Sequence, residues 1–245
     1  MAHVQQRRAL SGPALIRLLA RLADTDLSQP GQSLSDRLSQ WLSWTDAITL
    51  STALNASLPT VAPGAQAAGA DAATLCGRVR SALAKAIGAT GLSDTRSNSG
   101  ARPPAQSAPV AVDVDFADFR QRYVSMQQTM ETEIGSLRGR LRRALAAKAP
   151  DLARLAMLDA SMEQALAGRE RTLLGAIPTL LGQYFERLRA AELQRQADPL
   201  ADSTAPAPSS AWLNAFRNDM QSVLLAELDV RFQPVEGLLA ALGPR

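Results

Sequence analysis

The chain has 245 residues with 46% apolar and only 4% aromatic residues, and its formal net charge is +3. This charge is too small for a general nucleic-acid binder, and no apolar run approaches the roughly 18 residues of a membrane-spanning helix. The single cysteine, Cys76, excludes an intrachain disulfide. Helix-favouring Leu, Ala, Arg, Gln and Glu are frequent and β-branched residues are sparse, so the composition predicts an all-α fold.

Apolar residues at spacings of three and four predict three helices near the N-terminus. They cover residues 13–23, 34–58 and 71–87. Pro59 ends the second helix, and the small residues of 59–70 indicate a short linker before the third. We expect these helices to form a small N-terminal helical module, residues 1–88.

Two tryptophans, Trp41 and Trp44, stand three residues apart in the predicted second helix. This spacing places them close together on the helix surface. One interpretation is that both belong to the core. The other is that an exposed tryptophan anchors a protein partner, because binding hot spots are enriched in this residue.

Residues 89–112 contain Gly, Ser, Thr, Asn and Pro but almost no large apolar side chain. Such a segment cannot bury enough surface to offset the entropy of ordering, so we predict a disordered linker. It would separate the N-terminal module from a bundle formed by residues 113–245. A stretch rich in Pro, Ser and Ala predicts a flexible loop at 198–210 within that bundle.

Four long helices are predicted in the C-terminal part, and the first carries a heptad seam with a four-residue stutter between Met130 and Ile134. Asp115 has the position of an N-cap for this helix, which we favour over a metal-binding pair with Asp113. Long helices with short connections pack side by side, so we expect an elongated antiparallel bundle, with the N-terminal module docked on it or tethered to it. The four helices cover 116–149, 151–167, 169–197 and 211–242. The step at Gly168 is either a break or a kink, and Pro178 is expected to kink the third of these helices.

No catalytic, cofactor-binding or metal-binding constellation is visible in the sequence. His3 is the only histidine, which argues against triads and histidine-based metal sites. The glycines lack the spacing of a phosphate-binding loop. We therefore expect a protein without enzymatic activity and without a cofactor.

A basic cluster lies near the C-terminal end of the predicted long helix. Cations at this end complement the helix dipole, so the cluster is either a solvated face with ion pairs inside the bundle or a binding patch. As a patch it would suit an acidic protein, an anionic lipid or a nucleic acid, although no aromatic platform for single strands accompanies it. The cluster comprises Arg138, Arg140, Arg142, Arg143 and Lys148.

Four segments resemble an uncharacterised proteobacterial family of mostly helical proteins of about this length. They are WLSWTDAI at 41–48, residues 116–123, ALAGRERTLL at 165–174 and LLAELD at 224–229. The resemblance covers most of the chain outside the linkers and implies no catalytic residue. It implies a bacterial cytoplasmic protein, and it suggests a partner in an envelope-associated complex.

These observations favour a non-enzymatic structural or adaptor protein that acts through protein–protein contacts. The partner is another protein or a second copy of the chain, since the long helical seam suits either. The alternative is a regulator that binds nucleic acid or an anionic surface through the basic cluster. The two differ in salt dependence, because phosphate binding weakens steeply as salt is added.

Overall fold

The computed structural model describes residues 13–24, 34–55, 68–92, 114–197 and 211–243. Every regular element in these ranges is an α-helix, and no strand occurs there, which confirms the all-α prediction. None of the described helices combines the length and the apolar character needed to cross a membrane. The helices are α1 (Ala14–Ala23), α2 (Leu34–Trp41), α3 (Trp44–Asn55), α4 (Ala68–Leu92), α5 (Phe116–Lys148), α6 (Pro150–Leu174), α7 (Ile177–Ala197) and α8 (Ala211–Leu242).

Helices α5 and α8 form the centre of the structure. α5 packs against α6, α7 and α8, and α8 also packs against α4 and α1. α6 runs back along α5, since Arg138 contacts Asp159 while Gln127, earlier on α5, contacts Leu174, later on α6. The predicted seam of α5 is its buried face, because side chains three and four residues apart share one side of a helix. Its buried apolar members are Phe119, Tyr123, Met130, Ile134, Leu137, Leu141 and Leu145.

The helices of the N-terminal part pack on the C-terminal helices. α4 lies against α5 and α8, α1 against α7 and α8, and α3 against α6. Arg80 of α4 bridges Asp229 and Glu236 of α8 at 2.6 and 2.5 Å. These groups are about half exposed, so each pair adds at most about 1 kcal/mol. Packing does not show which parts fold independently, and the division into module, linker and bundle stays a prediction.

The prediction of one continuous second helix over 34–58 is wrong. α2 ends at Trp41 and α3 begins at Trp44, because a capping box starts a new helix between them. The Ser43 hydroxyl accepts the Asp46 backbone N–H at 3.2 Å, and the Asp46 carboxylate accepts the Ser43 backbone N–H at 2.9 Å. The two tryptophans therefore lie on different helices.

Of the two possibilities at Gly168, a break is excluded, since α6 continues to Leu174 and the chain breaks at Gly175. Pro178 lies in the first turn of α7, where backbone N–H groups have no partner within the helix. Because proline lacks this N–H, it costs no hydrogen bond here, and it begins a helix instead of kinking one. α4 extends to Leu92, which makes the first four residues of the predicted 89–112 linker helical. The rest of that linker and the predicted 198–210 loop lie outside the described residues.

Candidate functional site

A network of buried polar side chains joins α5, α6 and α8. Glu227 is fully buried and accepts hydrogen bonds from Tyr123 Oη at 2.7 Å, Gln127 Nε2 at 3.0 Å and Arg231 Nε at 2.9 Å. Arg231 Nη1 extends the network to Glu170 at 3.1 Å. A buried carboxylate needs such partners, because a charge without them loses several kcal/mol of solvation.

The sequence contains a charge pattern that predicts part of this network, although the apolar period alone did not reveal it. Glu227 and Arg231 are four residues apart, the spacing of an ion pair on one helix face. They also fall on the face of α8 that buries Leu224, Leu228 and Phe232. An opposite-charge pair within an apolar stripe indicates a buried ion pair.

The network borders a cavity of about 500 Å³ between α2, α5, α6 and α8. This volume is within the range of sites that bind small organic molecules. Arg231 and Glu170 belong to both the network and the cavity. The apolar lining includes Trp41, Met130, Ile134, Leu166, Leu173, Leu174, Val230 and Pro234, and the charged lining comprises Arg138, Arg169, Arg171, Arg231, Glu131, Glu163 and Glu170.

The fold separates the predicted basic cluster into side chains that are paired within the chain and side chains that are exposed. Arg138 and Arg142 turn towards α6, where both contact Asp159 and Glu163 at 2.6–3.2 Å. The side chains of these two arginines are only 11% and 18% exposed. Of the two interpretations of the cluster, that of ion pairs inside the bundle therefore applies to them. Lys148 donates to the carbonyl oxygens of Leu242 and Gly243 at the end of α8. Only Arg140 and Arg143 of the cluster are exposed, and a binding role for them stays a prediction.

The two tryptophans have different environments. Trp44 is 80% exposed at the start of α3. Trp41 is half-buried at the cavity, where the guanidinium carbon of Arg169 lies 5.3 Å from the ring centroid, a cation–π distance. The N-cap prediction for Asp115 is confirmed, since its carboxylate accepts the Ala117 backbone N–H at 3.0 Å. Asp113 lies outside the described residues.

Each tyrosine of the chain donates its hydroxyl to a carboxylate, Tyr123 to Glu227 and Tyr184 to Asp219. Burial, followed by the neighbouring carboxylate, raises the pKa of Tyr123 far above its usual value and the pKa of Tyr184 to about 12. The folded chain therefore keeps protons that the unfolded chain loses above about pH 10. We expect the free energy of unfolding to be unaffected by these groups below that pH and to fall as the pH rises towards 12.

Ultraviolet absorbance of phenolate checks this expectation directly, because the chain has only two tyrosines. At about pH 10 an exposed tyrosine is half ionised, whereas the native protein should show almost no phenolate. Half-ionisation of either tyrosine at this pH, with the helical circular dichroism unchanged, would contradict the hydrogen-bonded arrangement.

The four segments that carry the family resemblance meet around this site. They contribute Trp41, Tyr123, Glu170 and Glu227 to the cavity or the network. A family model described as "Protein of unknown function (DUF3348)" matches residues 1–244. No curated protein and no solved structure matches the chain. Because the family model covers almost its full length, the chain belongs to the DUF3348 family.

Proposed function

We propose that this protein is a non-enzymatic adaptor that binds a protein partner through the exposed face of α3. The observation that carries the proposal is the exposure of Trp44, 80%, together with Ile48, 51%, one turn further along. Residues four apart share a helix face, so the two side chains form one apolar surface. Exposed apolar patches mark interaction sites, and tryptophan is among the residues that contribute most to binding.

The opposite side of α3 holds the helix in place. α3 packs against α6, and its Ala53 is buried. The capping box between Ser43 and Asp46 begins the helix directly before Trp44. Trp44 therefore projects from a hydrogen-bonded turn, and little backbone entropy would be lost when a partner covers it.

The family resemblance suggests a partner in an envelope-associated complex. The test is affinity purification of the chain from its native host at native expression, from membrane and cytosolic fractions. The double variant Trp44→Ser/Ile48→Ser removes the apolar surface, and Leu193→Ser on α7, where Leu193 is 46% exposed, is the matched control. A photo-reactive residue at position 44 identifies the protein in direct contact.

We expect one protein to co-purify with the wild type and the control but not with the double variant. Loss of a hot spot of about 2 kcal/mol corresponds to roughly 30-fold weaker binding. If light scattering shows a dimer that the double variant disrupts, the partner is a second copy of the chain. Equal recovery of the same partner by the wild type and the double variant would refute the role of α3.

The alternative of nucleic-acid or anionic-surface binding has less support. Arg138 and Arg142 are paired with Asp159 and Glu163, which leaves Arg140 and Arg143 as the exposed members of the cluster. Two phosphate contacts would give a salt dependence with a logarithmic slope of about −2. No retention of the protein on DNA or anionic vesicles at low salt would end this alternative.

A further inference from the structure

The cavity beside the buried network combines aliphatic walls with several arginines. Ile134, Leu166, Leu173 and Val230 contribute to the walls. Open space reaches the α5 backbone, because a Cβ added to Gly135, which lines the cavity, would meet no atom within 4 Å. A flexible hydrocarbon body would fit this lining.

The charge of the lining disfavours a cation. Four arginines and three glutamates line the cavity, a difference of one positive charge. Arg138 is held by Asp159 and Glu163, and Arg171 lies 3.6 Å from Glu131. These two arginines are already paired within the chain.

Two other arginines of the lining are less fully paired within the described residues. Arg231 binds Glu227 and Glu170 through Nε and Nη1, and its Nη2 makes no hydrogen bond to the described residues. Arg169 is exposed and contacts the ring of Trp41, and within the described ranges no carboxylate forms an ion pair with it. Arg169 is therefore the cation of the lining whose charge is most open to a ligand.

We propose that the cavity binds a small amphipathic carboxylate with an aliphatic body, a ligand of the medium-chain fatty-acid class. The carboxylate binds the guanidinium of Arg169 beside Trp41, since guanidinium groups pair with carboxylates through strong, charge-assisted hydrogen bonds. The hydrocarbon chain lies against Ile134, Leu166 and Val230. This inference concerns a different surface from the adaptor face of α3.

Calorimetric titration of the full chain with decanoate, below its micellar concentration, tests the proposal. Decanol and decyltrimethylammonium are matched neutral and cationic probes with the same hydrocarbon body. A charge-assisted hydrogen bond is expected to make decanoate bind roughly tenfold more tightly than decanol. The cationic probe should bind more weakly than decanol.

Two glycines supply a matched pair of variants. Gly135→Leu places a side chain in the cavity and should abolish decanoate binding. Gly77→Leu adds the same side chain into open space on α4, a helix that contributes no residue to the lining, and should leave the affinity within about twofold of the wild type. Both variants replace a helix-disfavouring glycine, so both should fold.

Arg169→Gln tests the charge, and Arg120→Gln, at an exposed arginine of α5 outside the lining, is its control. We expect Arg169→Gln to weaken decanoate binding roughly tenfold without changing decanol binding, and Arg120→Gln to change neither. Equal affinities of the wild type for decanoate and decanol, no binding of decanoate, or binding that survives Gly135→Leu would each overturn the proposal. The variant Trp44→Ser/Ile48→Ser should bind decanoate normally, so the adaptor proposal and this one fail independently.

Discussion

Replacing Arg231 with methionine is expected to lower the free energy of unfolding by about 3–5 kcal/mol. The Arg231 side chain is 7% exposed, and its Nε lies 2.9 Å from the carboxylate of Glu227, which is fully buried. Without the guanidinium, that negative charge keeps only neutral donors, Tyr123 and Gln127. Urea unfolding followed by circular dichroism measures the loss.

The double variant Glu227→Gln/Arg231→Met removes both charges and should recover most of the lost stability, because a neutral replacement of a buried pair is often harmless. Arg80→Met is the exposed control. It breaks pairs with Asp229 and Glu236 at the surface and should cost about 1 kcal/mol or less for each pair. An equal effect of Arg231→Met and Arg80→Met would show that the buried charge does not depend on its partner.

Phe216→Ala is expected to cost about 3–5 kcal/mol as well, through a cavity in the aromatic core. Phe216 of α8 is fully buried, and its ring centroid lies 5.0 Å from that of Phe185 and 5.2 Å from that of Phe119. Both contacts have edge-to-face geometry, which is favourable for aromatic pairs. The rings come from α5, α7 and α8, so truncation of Phe216 loosens three helices at once.

Thermal and urea unfolding of the Phe216 variants check this prediction. Phe216→Leu keeps most of the volume and should cost less than Phe216→Ala. Leu193→Ala, at a side chain that is 46% exposed, should change the free energy of unfolding by no more than about 0.5 kcal/mol. Similar losses for Phe216→Ala and Leu193→Ala would contradict the central position of this ring.

The buried network also reaches the C-terminal end of α6. Gln127 Nε2 donates to the backbone carbonyl of Leu174 at 3.0 Å, and Leu174 is the last residue of α6. Carbonyls at a helix end lack partners within the helix, so a side chain from α5 satisfies one of them. Gln127 thus joins the end of α6 to the polar contacts around Glu227.

Several errors of sequence interpretation were local and avoidable. The Ser-x-x-Asp signature at Ser43 and Asp46 predicts a helix start, but the apolar spacing on either side of it suggested an uninterrupted helix. Pro178 fits the first turn of a helix at least as well as the middle of a kinked one. In both places the apolar period continues across the break between two helices. The residues that favour a helix start predict the boundary better than the apolar period does.

The sequence by itself determined the all-α class, the family and the buried face of α5, because helix propensity and the 3.6-residue period are local properties of the chain. Only the tertiary structure decided which residues of other helices surround each charge. Arg138 pairs with Asp159, 21 residues away, and Gln127 donates to Glu227, 100 residues away. The free energy of a charge depends on such neighbours, and local spacing reveals only the pairs that lie within one helix.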